Sequence, residues 1–167
     1  GKQGQFLFVD GSAASVAITG SLSVSSSVSK GSGSFKIDHP LPAKTETHHL
    51  VHSFIEGPQA DNIYRGKIDL VDGSATVNID TAAGMTEGTY VLLNTNTQCF
   101  TSNESGWTAV KGSVSGNNLT ITAQESCSDT ISWMVIGERH DQHMLDTEWT
   151  DDNGKVIVEP LKLNEEE

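Results

Sequence analysis

Imidazoles are the first groups in this chain that could do chemistry. Five of the six cluster in two places: His48, His49 and His52, then His140 and His143; His39 stands apart. Imidazole is the commonest transition-metal ligand and titrates nearest neutral pH. On a strand, His48 and His52 share a face but stand about 13 Å apart, too far for one ion. His140-x-x-His143 fits a helical turn better than a strand. In a three-chain assembly, one axial histidine per chain could bind a metal without any local motif. No carboxylate or thiolate completes a known ligand spacing. His48, His52, His140 and His143 are therefore metal or axial candidates only, and no metal or cofactor is assigned.

The other reactive groups give less. Asp151-Asp152-Asn153-Gly154 invites a calcium loop. With Gly154 at the sixth position, however, the closing Glu of such a loop would fall on Pro160, so a polar hairpin turn is the better reading. No GxSxG elbow surrounds any serine. Paired carboxylates are common in an acidic chain and do not single out a glycosidase. Cys99 and Cys127 are outside CxxC spacing. They could form a disulfide if their strands are neighbours, with two unpaired, partly buried thiols as the default. Trp107 follows the turn-like Asn103-Glu104-Ser105-Gly106. An exposed indole beside Asn103 and Glu104 could stack on a sugar ring and bond its hydroxyls, or equally anchor a neighbouring subunit.

Composition limits the classes these residues could serve. The chain has 167 residues, a formal charge of −12, 35% hydrophobic residues and 16 glycines. Such a composition suits a protein that buries little surface per residue, as long or fibrous proteins do. Residues 138–167 hold ten acids against Arg139, Lys155 and Lys162, a net of −7. That surface repels phosphate backbones, so no nucleic-acid partner is expected. No apolar run is long enough for a membrane-spanning helix, and no insertion is expected. The start, GKQGQFLFVDG, has neither a secretory pattern nor an initiator Met, and suggests excision from something longer.

Period-2 alternation dominates and gives an all-β expectation. Leu22, Val24 and Val28 alternate with serines over residues 21–29. Tyr64, Ile68 and Leu70 share a strand face; Asp72-Gly73 then turns a hairpin into Ala75, Val77 and Ile79. Gly116-Asn117-Asn118 turns Val114 into Leu119 and Ile121. Ile131, Trp133 and Val135 face one way and Ser132, Met134 and Ile136 the other, a strand expected to be buried on both sides. Leu50 to Ile55 read as strand or loop rather than helix. Three regions follow: Ser/Gly-rich shaft or linker strands over 1–33, a β-sandwich head over 34–137, and an acidic hairpin and tail over 138–167. A single copy of the Ser-rich strand cannot bury enough surface to be stable, so it needs partners.

One block carries a family resemblance. Ser34 to Leu41 reads SFKIDHPL; His52-Ser53-Phe54 follows with Glu56 and Pro58; then come Asn62 to Gly66, NIYRG, and a strand–DG–strand pattern. This order resembles a block near the C-termini of bacteriophage tail-fibre and related virion proteins, and Ile131 to His143 resembles its closing strand. The pieces are not enzymatic motifs, but their order and spacing together are fairly specific. The resemblance implies a homotrimeric virion protein at the distal end of a tail appendage, extracellular when it acts. Its partners would be other tail-fibre or baseplate proteins and a bacterial surface glycan or outer-membrane protein. Many such fibres end in a self-cleaving chaperone domain with a helical, heptad-bearing segment. No heptads follow Arg139, so autoproteolysis is not assigned.

The expectation is thus a non-enzymatic attachment domain that forms trimers. Asp38, His39 and Pro40 would turn the chain at a shaft–head collar, and His48 to Ile55 would run into the head's core. The alternatives are a connector or trimerisation module without a receptor site, and a carbohydrate-active or metal-dependent enzyme.

Overall fold

The computed structural model describes residues 21–25, 27, 28, 30 and 33–161, apart from the side chain of Phe35. The described residues are all-β apart from three short helices, and the chain divides into two compact units, 1–55 and 56–167. Most of the expected shaft and the closing acidic run therefore lie outside the described residues. Within 21–30, the described residues form no strand, and Leu22, Val24 and Val28 are exposed.

Among its described residues the first unit has an antiparallel hairpin, β1 (Ser34–Asp38) with β2 (His49–Ser53), in which Ile37 stands opposite Leu50 and Lys36 opposite Val51. Asp38, His39 and Pro40 do turn the chain, and His39 organises the bend. Its Nδ1 accepts from the Leu41 N–H and its carbonyl accepts from Thr45 Oγ1. His48 to Ile55, expected to run into the head's core, belong instead to the first unit. None of these residues joins the core cluster, and Val51, Phe54 and Ile55 are exposed. The division after Ile55 accordingly places this hairpin with the residues before it rather than with the sandwich.

The second unit is two three-stranded antiparallel sheets. One has the order β3-β8-β5, from β3 (Asp61–Asp69), β8 (Thr130–Arg139) and β5 (Asn94–Asn103). The other has the order β4-β7-β6, from β4 (Ser74–Asn78), β7 (Asn118–Ala123) and β6 (Val110–Ser115). Their facing sides build one core: Leu70, Val77, Leu119 and Ile121 with Ile131, Trp133 and Val135. The alternation read from the sequence puts these residues inward. At the β5–β6 approach Gly112 leaves room for Thr101, whose Cγ2 would lie 2.9 Å from an added Cβ.

Two turns differ from expectation in informative ways. Asp72 (φ 52°) and Gly73 (φ 80°) make the tight turn that their types favour. Only Val71 and Ser74 bridge across it, because β3 pairs with β8 and β4 with β7. The DG pair is a corner between sheets, not the tip of a ladder. Near the C-terminus, Gly154 (φ 73°) turns the chain, yet only Thr150 and Val156 bridge.

The helices are α1 (Ile79–Ala82), α2 (Thr89–Leu93) and α3 (Gln142–Asp146). The first two hang on buried Asp80, whose carboxylate accepts from the Gly88 and Tyr90 N–H groups and from Asn117 Nδ2 at 2.7–2.8 Å. Burial pushes this acid up, but the three donors outweigh burial and hold it below its ordinary value. Asn117 also donates to Glu87, so a two-residue β-turn clasps the helical segment. In the acidic region, Asp141 caps α3 and Met144 is fully buried.

Candidate functional site

The connection between β5 and β6, residues 104–109, is built by Asn103. Its Oδ1 accepts from the Ser105 and Gly106 N–H groups (3.2 and 2.8 Å). Its Nδ2 donates to the Thr108 carbonyl (3.1 Å) and to Asp129 Oδ2 (2.7 Å). Ser105 Oγ accepts from the Thr130 N–H, and Glu104 N–H donates to the Thr130 carbonyl, stitching the loop to the start of β8. Glycine at 106 lets the Asp129 carboxylate stand close, since an added Cβ would fall 2.0 Å from its Oδ2 and push it aside. This frame holds Trp107 fully exposed, with nothing of the described chain covering the indole.

Of the three residues expected to meet a ligand here, only Trp107 is free to do so through its whole side chain. Asn103 spends its donors and one oxygen on the loop and is half-buried, so its role is to hold Trp107 in place. Glu104 accepts from Lys67 Nζ and from Ser132 Oγ, and these bonds pull its carboxyl below the usual range. Both partners belong to the outer face of the β3-β8-β5 sheet. The loop that carries Trp107 thus rises from the end of that face.

That outer face holds an open groove of about 490 Å³. Arg65, Met134 and Phe100 form one row across the three strands, and Lys67, Ser132 and Ser102 the next. The expectation that β8 is buried on both sides is corrected here. Ile131, Trp133 and Val135 are buried inward, but Ser132, Met134 and Ile136 are only half-buried beneath an uncovered face. No third layer of the described chain packs over this part of the sheet. Sequence reasoning missed Arg65 and Phe100; their alternation with the inward Tyr64 and Cys99 was the available signal.

At the far end of the same face Glu138 is buried, holding Lys155 from the C-terminal segment and accepting from Asn96 Nδ2. Asn96 lies at a β-bulge between Thr95 and Gln98, with φ 50°. Arg139 beside Asp141 holds that carboxyl below the usual range and orders the entry to α3.

The histidines do not assemble. His48 precedes β2 and its Nδ1 meets Thr47 Oγ1 at 2.7 Å. His52 stands opposite Phe35 in the hairpin, while His49 Nδ1 lies 3.5 Å from Asp38. His140 and His143 lie in the other unit, at the entry to α3 and within it. Among the described residues, no three His, Cys, Asp or Glu side chains converge in a way that could hold a metal. Cys99 and Cys127 are separate, half-buried free thiols, so the candidate disulfide is not formed. Asp151 Oδ1 accepts from the N–H groups of Asn153 and Lys155, both at 2.9 Å, which accounts for the DDNG segment as a turn.

The site therefore offers an aromatic platform on a stiff loop, next to a shallow groove of mixed chemistry. Compared with known proteins, the chain matches no family model, no curated protein and no solved structure.

Proposed function

We propose that this chain is the non-enzymatic distal domain of a bacteriophage tail fibre, which forms a homotrimer and attaches the virion to a glycan or outer-membrane protein of its bacterial host. The observation that carries the attachment reading is Trp107, wholly exposed on a loop whose polar groups are spent on holding it still. A large aromatic surface left in water serves best when a partner covers it. A rigid loop also reduces the ordering cost of binding. Three chains per fibre would multiply weak single-site contacts.

The self-association part rests on the first unit. A two-stranded hairpin is marginal alone in water, and this one leaves Ile37, Val51, Phe54 and Ile55 exposed. Copies of the chain would cover those side chains and the apolar stripe at Leu22, Val24 and Val28. The same observation favours the second reading, a connector module without a receptor site.

Binding of the fluorescently labelled full chain to host cells separates the two. Attachment predicts saturable binding that Trp107→Ala removes while the oligomeric mass stays unchanged. Undiminished binding by Trp107→Ala, or none by the parent chain, refutes the role given to Trp107.

A further inference from the structure

From the groove on the outer face of the β3-β8-β5 sheet, we infer a subsite for a saccharide that bears a carboxylate. Arg65 and Phe100 are both register partners of Met134, one on each side. Their Cα atoms therefore stand about 10 Å apart, two inter-strand spacings. That gap admits one pyranose ring over the Met134 side chain. Phe100 is 49% exposed and offers a ring face for the apolar side of the sugar. Ser102, Ser132 and Lys67 lie in the adjoining row; the serine oxygens can accept from hydroxyls and Lys67 Nζ keeps donors beyond the one it gives Glu104. The groove volume of about 490 Å³ falls within the range of small-ligand sites.

The acid preference comes from Arg65. Among the described residues its guanidinium has neither an ion pair nor a hydrogen bond, in a chain whose formal charge is −12. The neighbouring cation, Lys67, is already neutralised by Glu104. An uncommitted guanidinium across from an aromatic flank suits a planar carboxylate, which it can bind through two parallel N–H···O bonds. A neutral sugar would leave that fork unused.

The inference deepens the attachment reading but is tested apart from it, on the purified 167-residue chain and free sugars. The probes are a glucuronate-containing disaccharide and its neutral glucose counterpart, followed by amide chemical shifts and calorimetry at low salt. Expected are shifts at Arg65, Phe100 and Met134 with the acidic probe, and affinity roughly tenfold above the neutral one. Arg65→Met should abolish the preference, and Phe100→Ala should weaken both probes. Raising the salt should erode the preference. Equal affinities, or no shifts in the groove, overturn the inference. So does a fall in oligomeric mass on Arg65→Met or Phe100→Ala, which would make this face a subunit interface. Sugar binding without cell binding would instead remove the attachment reading and leave the subsite standing.

Discussion

Gly106→Ala tests the link between loop construction and display of Trp107. The new Cβ would lie 2.0 Å from Asp129 Oδ2, 2.6 Å from its Cγ and 2.9 Å from Oδ1. To restore ordinary van der Waals contact the carboxylate must retreat by more than about 1 Å. Asn103 Nδ2 now donates to that oxygen at 2.7 Å, so the retreat breaks the bond. A hydrogen bond to a charged group contributes about 1.5–3 kcal/mol; partial exposure of this one lowers the expected loss to about 1–2 kcal/mol. For a chain of this size that is a fall in Tm of roughly 3–6 °C. Trp107→Ala, by contrast, removes a fully exposed side chain and should change stability by less than about 0.5 kcal/mol. Urea unfolding with thermal melts reads both, and cell binding is measured on the same samples. Gly106→Ala should lose stability and binding together, and Trp107→Ala should lose binding alone. An unchanged Tm for Gly106→Ala would refute the claim that Asn103 and Asp129 hold the loop.

Further outcomes follow from the core and its acids. Gly66→Ala would put a Cβ 2.7 Å from Trp133 Cζ2, and should cost about 1–3 kcal/mol as an overpacked site. Adding Trp133→Phe, which removes that atom and a buried Nε1 with no hydrogen-bond partner, should recover part of the loss. Additive losses in urea unfolding would contradict this. Asn117→Asp should destabilise more at pH 7 than at pH 4, because at pH 7 a third carboxylate faces Asp80 and Glu87; equal losses at the two pH values would contradict the clasp. The carboxyls of Asp80, Glu104, Asp141 and Asp151 are held below their ordinary values. Their contribution is full above the usual carboxylate range near pH 4 and drains away as pH falls through and below it. Tyr90 is shifted the other way: burial raises its phenol, so stability should be intact below about pH 10 and decline above it. Unfolding free energies measured from pH 2 to 11 check both limbs, and a flat acid limb would contradict the first.

The strands were legible because their inward residues alternate with Ser, Thr and charged residues: Tyr64 and Ile68, Ala75 and Val77, Leu119 and Ile121, Ile131 to Val135. The turns at Asp72-Gly73 and Gly116-Asn117 were legible from residue type. Whether the strands joined by the first turn pair with each other was not, since the same residue pair serves a hairpin or a sheet-to-sheet corner and distant pairing with β8 and β7 decides. The helices α1 and α2 escaped because four or five residues carry no periodicity; buried Asp80 and Asn117 hold them from outside. The open side of β8 escaped for a related reason. Met134 and Ile136 look like core residues, and only the absence of a described layer over them exposes the groove. Trp107 was legible from the turn before it, whereas Asn103 and Asp129 supporting it are separated by too much sequence to be paired by inspection.

The central claim is that this domain attaches a virion to its host. It is tested most directly by adsorption competition, in which purified full chain is added to host cells before the particles. Saturating chain should slow adsorption, and Trp107→Ala chain, of equal mass and Tm, should not. Unimpeded adsorption at saturating parent chain would contradict it.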